Sequence, residues 1–112
     1  MLVIDPEVAG ALSLAVPQAD FVQILHAFEA DLDRLAQDCV SAAETGDLPA
    51  LRRSAHSLAG TAAGIGAHRL EAAAREAMAG AYEPGAALIA RIRAETAAVL
   101  VELASLASPR PG

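Results

Sequence analysis

The sequence has few aromatic residues and a single cysteine. Aromatic residues make up 3% of its 112 residues, whereas hydrophobic residues make up 54%. The core must therefore be built from Ala, Leu, Val and Ile. This composition favours packed helices, because Ala and Leu are strong helix formers and strands are richer in β-branched and aromatic residues. Cys39 has no partner for an internal disulfide, which suits a reducing compartment.

The chain also has little positive charge. Eight Lys and Arg residues stand against fourteen Asp and Glu, which gives a formal net charge of −6. Nucleic-acid binding requires clustered basic residues, so we expect no nucleic-acid partner. No signal peptide is recognisable at the N-terminus, and no segment approaches the run of about 18 apolar residues that a membrane helix needs. We therefore expect a cytoplasmic protein with no membrane partner and, from its start and its terminal PRPG, a free-standing one.

Capping residues and apolar periodicity predict a succession of helices. Asp5 and Pro6 are typical of a helix N-terminus, and Gly46 is typical of a helix end. A turn is predicted over 80–85, where Tyr82 is expected to cover one end of the molecule, and the tail over 108–112 is expected to fray. The predicted helices span residues 6–16, 18–45, 48–64, 67–79 and 86–107.

These helices predict an all-α fold. Short connections between amphipathic helices make neighbours antiparallel, so four of them should form an up-and-down four-helix bundle, with the short N-terminal helix at one end. A chain of this length is too short for two ordinary domains. We therefore expect one domain over residues 1–112, with the bundle core at about 18–107.

His56 is the candidate functional residue. At about 100° per residue, Leu51, Leu58 and Ile65 fall within about 40° of the direction opposite His56, so its imidazole should point away from the core. A histidine nucleophile must be reachable and largely neutral. The residues expected to share its face are Pro49, Arg52, Arg53, Ala59, Gly60 and Ala63.

Gly60 lies one helical turn after His56. Glycine inside a helix costs about 1 kcal/mol relative to alanine, so its place beside an exposed histidine needs a reason. Close approach of another backbone is such a reason. The simpler interpretation is an exposed histidine without a function, and geometry alone indicates a docking face without naming its chemistry.

The stretch AHSLAGTAAGIGAHRL, residues 55–70, resembles the signature of histidine-containing phosphotransfer (HPt) domains. In that signature a phosphorylated histidine opens an HxLKG segment, and a Gly-Ala pair and a leucine follow. The preceding stretch, with a Gly-Asp turn about nine residues before the histidine, is similar as well. The positions that match in type and spacing are His56, Leu58, Gly60, Gly66, Ala67 and Leu70.

One position departs from this signature. The family commonly has lysine where this chain has Ala59, and that lysine is regarded as a positive neighbour for the phosphoryl group. Arg52 and Arg53, four and three residues before the histidine, are the candidates to supply positive charge instead. Solvated surface arginines are the alternative interpretation.

The resemblance implies a phosphocarrier and not an enzyme. His56 would accept a phosphoryl group from an aspartyl-phosphate receiver domain, or from a sensor or hybrid histidine kinase, and pass it to a response-regulator receiver. In that family the receiver supplies the acidic pocket and Mg²⁺, so this chain is expected to bind no cofactor or metal. We expect a monomer. The predicted docking patch consists of Pro49, Ala59, Gly60, Ala63 and Gly64.

Other interpretations stay open. A helical module could dock on a receiver or another signalling protein without transferring phosphate, and the missing lysine supports it. A purely structural bundle could self-associate through its alanine-rich faces. Histidine-kinase dimerisation helices also carry an exposed histidine, but an acid typically follows it, and here Ser57 follows. No Walker-type or GxGxxG loop is present.

Overall fold

The computed structural model describes residues 3–79 and 84–107. Within these ranges all regular structure is α-helical, so the all-α prediction is confirmed. The predicted helix bounds agree with the observed ones to within a residue. The turn predicted over 80–85 lies mostly outside the described residues, and Tyr82 and the tail over 108–112 lie outside them entirely. The helices are α1 (Pro6–Ala15), α2 (Gln18–Thr45), α3 (Leu48–Gly64), α4 (His68–Ala79) and α5 (Ala86–Ala107).

Local side-chain and backbone contacts set the helix ends. Oδ1 of Asp5 accepts a hydrogen bond from the backbone N–H of Glu7 at 2.9 Å and caps α1. Oδ1 of Asp47 accepts from the N–H of Ala50 at 3.1 Å and caps α3. Gly46, with φ of 70°, ends α2 in the left-handed conformation. These contacts explain why the sequence predicts the helix bounds well.

The last four helices form the predicted bundle. α2 and α4 each pack against both α3 and α5, so α3 and α5 lie diagonally across the bundle. Alanines between the leucines are fully buried, which lets the helices approach closely. None of the described helices is long and apolar enough to span a membrane. The largest fully buried side chains are Leu32, Leu51, Leu58, Ile65, Leu70, Ile92 and Leu103.

The segment before α1 is attached to the bundle by its backbone. The N–H groups of Val3 and Ile4 donate to the Glu102 carboxylate at 2.7 and 3.0 Å, and Ile4 is buried in the core. The N–H of Asp5 donates to the carbonyl oxygen of Gly66 at 3.0 Å. α1 therefore starts beside the turn between α3 and α4.

Candidate functional site

His56 lies in the middle of α3, and its side chain is exposed. On the opposite side of the helix, Leu51, Leu58 and Ile65 are at most 1% exposed. These three side chains anchor α3 to the core and fix its rotation about its own axis. The expectation that the imidazole of His56 points away from the core is confirmed.

Of the five residues of the predicted docking patch, four are exposed as expected and one is buried. Pro49, Gly60, Ala63 and Gly64 are exposed. Ala59 is only 2% exposed, so the prediction that it contributes docking surface is wrong. Three residues along a helix turn the side chain by about 60° from that of His56, which here directs Ala59 into the packed interior.

Two glycines of the motif have different structural roles. A Cβ atom added to Gly60 would meet no heavy atom within 4 Å, and the same holds for Gly64. Gly66 has φ of 73°, and its Cβ would lie 2.7 Å from Cβ of Asp5 and 2.9 Å from Cγ2 of Val8. Gly66 is therefore required by the fold. The fold does not require Gly60, and its missing side chain leaves the surface beside His56 low and open.

The charge around His56 differs from that of the rest of the chain. α3 contains no Asp or Glu, and the exposed Arg52 and Arg53 are its only permanently charged residues. The chain contains no lysine, so arginine is its only permanently cationic side chain. By contrast, the preceding helix, α2, is strongly acidic. The acidic residues of α2 are Asp20, Glu29, Asp31, Asp33, Asp38 and Glu44.

A charged cluster lies on α2, the helix that precedes the one bearing His56. Arg34 lies 3.5 Å from Asp31 and 3.8 Å from Asp38, and all three are exposed. Because only two residues join α2 to α3, positions equally far from that turn lie side by side, which brings Arg34 and Asp38 close to the level of His56. Our prediction of the site did not include these residues. The i+3 and i+4 spacing of opposite charges is the signal that indicates them.

The other two histidines form local pairs. Nδ1 of His26 lies 3.5 Å from Glu29, and Nε2 of His68 lies 3.3 Å from Asp5. The N–H of Glu7, and after it His68, lower the pKa of Asp5 below its usual value. Within the described ranges no group of three or more His, Cys, Asp or Glu residues is placed to hold a metal ion.

Cys39 is not a reactive nucleophile at neutral pH. It is fully buried, and burial, with a smaller effect of Asp38, raises the pKa of its thiol to about 11. A protonated buried thiol reacts slowly, because the thiolate is the reactive form. Its location confirms that Cys39 belongs to the core.

The fold and the site define a small helical bundle that presents His56 on the exposed face of α3. The family model of the Hpt domain matches residues 23–102, which is most of the chain. The chain therefore belongs to the Hpt domain family. No curated protein and no solved structure matched the chain. Hpt domains are phosphocarrier modules and not enzymes, and membership supports a phosphotransfer-related role in two-component signalling.

Proposed function

We propose that this protein carries a phosphoryl group on His56 between partners of a phosphorelay. His56 would accept the group from the aspartyl phosphate of a receiver domain, or from a histidine kinase, and pass it to a response-regulator receiver. The observation that carries the proposal is the position of His56. It stands at the position of the phosphorylated histidine in the motif that residues 55–70 resemble, it is exposed in the middle of α3, and the surface at Gly60 beside it is open.

The transfer needs no general base from this chain. A neutral imidazole nitrogen attacks phosphorus, the bond between phosphorus and the aspartyl oxygen breaks, and its electron pair returns to the carboxylate. The second ring nitrogen holds the remaining proton, which is released to water when the phosphoimidazole becomes neutral. Mg²⁺ would be held by the receiver, where it offsets the negative charge of the phosphoryl oxygens.

The surface around His56 suits a transient complex. Pro49, Gly60, Ala63 and Gly64 offer a low apolar area, which is the kind of surface that another backbone can approach closely. Arg52 and Arg53 lie on one helix and the acidic residues of α2 lie on the next, so a receiver with complementary charges would be oriented as it docks. Small interfaces of this kind are typical of short-lived signalling complexes.

Ala59 favours a second candidate function. Because Ala59 is buried and uncharged, the positive neighbour common in the family is missing from this position. A protein that docks on a receiver without accepting phosphate would have no need of that charge. This alternative keeps the same fold and the same docking surface, so only the chemistry distinguishes the two.

The experiment that separates them is phosphotransfer to the purified full chain. A panel of receiver domains, each phosphorylated with radiolabelled phosphate in the presence of Mg²⁺, is mixed with the protein. We expect acid-labile, alkali-stable label on this chain, as phosphohistidine requires, and no label on His56→Gln. Binding without label across the panel would overturn the carrier proposal and favour the docking module.

The chain offers two matched controls for this experiment. His26 and His68 are also exposed, with side chains 63% and 67% accessible. His26→Gln and His68→Gln should therefore accept label as the unmodified protein does. If either variant folds normally but loses the label, His56 is not the phosphoryl acceptor.

A further inference from the structure

The contacts between α4 and α5 fix how α4 is rotated. Arg69 of α4 lies 2.8 Å from Glu95 of α5, and Glu76 of α4 pairs with Arg91 of α5. Viewed from the N-terminus of α4, both α4 residues lie about 100° counterclockwise from the middle of its buried side. They mark the flank that faces α5, so α3 packs on the clockwise flank. The buried residues of α4 are Leu70, Ala73, Ala74 and Ala77.

The groove between α2 and α5 shows the same arrangement of the four helices. On α2 it is lined by Asp33, Gln37 and Val40, which lie about 90° clockwise from the buried side in the view from the N-terminus. Arg93 and Thr96 line its α5 side. α2 and α4 run parallel at opposite corners of the bundle. With α5 clockwise of α2 and counterclockwise of α4, both helices give the bundle one hand.

His56 and Arg75 point out from the face of the bundle that α3 and α4 form. Arg75 is exposed and lies about 150° clockwise from the middle of the buried side of α4, on the flank towards α3. α3 runs the opposite way, so the hand of the bundle places α4 on the Ala59 side of α3. His56 lies about 60° beyond the buried Ala59. The two side chains therefore project roughly parallel from neighbouring helices.

His56 and Arg75 also lie at nearly the same level. Only residues 65–67 join α3 to α4, so positions equally far from Gly66 lie side by side. His56 stands ten positions before Gly66 and Arg75 nine after it, an offset of about 1.5 Å along the helices. Small buried residues between two helices allow their axes to approach to roughly 8 Å. Those at this contact are Ala55, Ala59 and Ala62 of α3 and Ala74 of α4.

Glu71 holds the guanidinium of Arg75 along α4. Oε2 of Glu71 accepts a hydrogen bond from Nε–H of Arg75 at 2.8 Å and lies 2.7 Å from Nη2. The guanidinium therefore lies between the levels of these two residues, which correspond to positions 57–61 of α3. The surface of α3 is low in this interval, because Gly60 has no side chain and that of Ala59 is buried.

The guanidinium of Arg75 keeps donors for a further acceptor. A guanidinium has five N–H groups, and the bonds to Glu71 use two of them. An exposed ion pair within one helix contributes only about 0.3–0.5 kcal/mol, so Arg75 can shift towards a neighbouring anion at little cost. Planar guanidinium groups bind phosphoryl oxygens through paired, charge-assisted hydrogen bonds.

We propose that Arg75 binds the phosphoryl group on His56 and supplies, from α4, the positive charge that Ala59 lacks. This proposal rests on the phosphocarrier function of His56 and adds a residue from a second helix to its site. During transfer, negative charge is spread over the three equatorial oxygens of the phosphoryl group. A guanidinium already placed beside these oxygens stabilises the transition state.

The first test phosphorylates the full chain with phosphoramidate, so it needs no partner protein. An imidazole nitrogen bonds to phosphorus, the P–N bond of phosphoramidate breaks, and its electron pair leaves with ammonia. In the double variant His26→Gln, His68→Gln only His56 can accept the group. In ¹⁵N spectra we expect phosphorylation to shift the Nε–H resonance of Arg75 and not that of Arg91. An unshifted Arg75 resonance would overturn the proposal.

The ionisation of the phosphoryl group is a readout that a purely structural role of Arg75 would not change. A neighbouring cation favours the dianion, so Arg75→Gln should move the second ionisation to higher pH. Arg75→Lys keeps the charge and should restore most of this change. The ³¹P chemical shift, followed against pH, measures it. Arg91→Gln is the control, and the same titration curve in Arg75→Gln as in the unmodified protein would refute the contact.

Transfer kinetics separate this proposal from the phosphocarrier proposal. Transfer to a receiver should be about tenfold slower in Arg75→Gln, as loss of a charge-assisted hydrogen bond predicts, and normal in Arg91→Gln. A normal rate in Arg75→Gln would refute the role of Arg75 and leave the phosphocarrier proposal standing. If no receiver labels His56 but phosphoramidate still shifts the Arg75 resonance, the phosphocarrier proposal alone is refuted.

Discussion

His68 and Asp5 are 63 positions apart in the sequence, yet Nε2 of His68 lies 3.3 Å from Oδ2 of Asp5. The backbone N–H of Asp5 also donates to the carbonyl oxygen of Gly66. The residue that caps α1 is thereby held against the turn between α3 and α4. The N-terminal segment is part of the fold for this reason, although it lies outside the four-helix bundle.

Asp5→Asn should remove an acid-sensitive part of the stability. The N–H of Glu7, and after it His68, hold the pKa of Asp5 below its usual value of 3.8. A carboxyl with a lowered folded-state pKa stabilises the fold above its unfolded-state pKa, and this stabilisation is lost as the pH falls through the folded-state pKa. Urea unfolding from neutral pH down to about pH 2 measures it. Below about pH 4 the unmodified protein should lose more stability than Asp5→Asn does.

His68→Gln tests the cause of the lowered pKa of Asp5. Because the hydrogen bond from Glu7 is the larger cause, this variant should keep most of the acid-dependent loss. If the stability of the unmodified protein and that of Asp5→Asn changed with pH in the same way, the lowered pKa of Asp5 would be refuted.

Gly66→Ala should destabilise the protein. The left-handed backbone costs a non-glycine residue roughly 1–2 kcal/mol, and the contacts with Asp5 and Val8 add to that. We therefore expect a loss of about 2 kcal/mol or more in the free energy of unfolding, measured by urea denaturation. Stability equal to that of the unmodified protein would show that the turn adapts to a side chain.

Gly60→Ala should stabilise the protein, in contrast to Gly66→Ala, and should slow phosphoryl transfer. The added methyl group meets nothing in the folded chain, so the helix should gain about 0.5–1 kcal/mol. The same methyl group stands one turn from His56 in the path of a docking receiver. We expect phosphoryl transfer to slow roughly tenfold, since small displacements of reacting groups have large effects on rate.

Gly10→Ala is the control for Gly60→Ala. Gly10 is also an exposed helical glycine whose Cβ would meet nothing within 4 Å, but it lies in α1. This variant should gain stability and transfer phosphate at the normal rate. Normal transfer by Gly60→Ala would remove Gly60 from the docking surface.

Arg53→Ala should slow phosphoryl transfer without unfolding the domain. Arg53 is exposed and lies one helical turn before His56, so its guanidinium can reach a phosphoryl group on the imidazole. An exposed charge pair contributes about 0.2–1 kcal/mol, which corresponds to a rate reduced by roughly 1.4-fold to fivefold. Rapid-quench kinetics with a phosphorylated receiver measures this change. Arg91→Ala is the control, and equal rates in the two variants would exclude Arg53 from the site.

Arg69→Ala should destabilise the contact between α4 and α5. Arg69 lies 2.8 Å from Glu95, whose side chain is only 11% exposed. Removal of the arginine leaves a buried carboxylate without its partner, which should cost about 1–3 kcal/mol. Arg75→Ala is the matched control, because Arg75 pairs with Glu71 within α4, a contact typically worth about 0.3–0.5 kcal/mol. Equal losses in the two variants would show that Glu95 does not depend on Arg69.

The features of the site that depend on α3 alone could be predicted from the sequence. Helix rotation places His56 opposite Leu51 and Leu58, and the capping residues lie within a few positions of the ends that they stabilise. Ala59 was predicted on the wrong side of the boundary between surface and core. A position about 60° from an exposed residue is exposed or buried according to how closely the next helix approaches, and a single helix carries no information about that distance.

The sequence by itself determined the helices, their order in an antiparallel bundle and the outward direction of His56, because these depend on local hydrogen bonds, capping and apolar periodicity. Only the tertiary structure decided that Glu95 is buried beside Arg69, that Glu102 binds the N-terminal backbone, and that Thr96 and Arg93 line a groove. Each of these features brings together parts of the chain that are far apart in the sequence. Such contacts depend on the relative rotation and separation of packed helices, which periodicity within one helix does not specify.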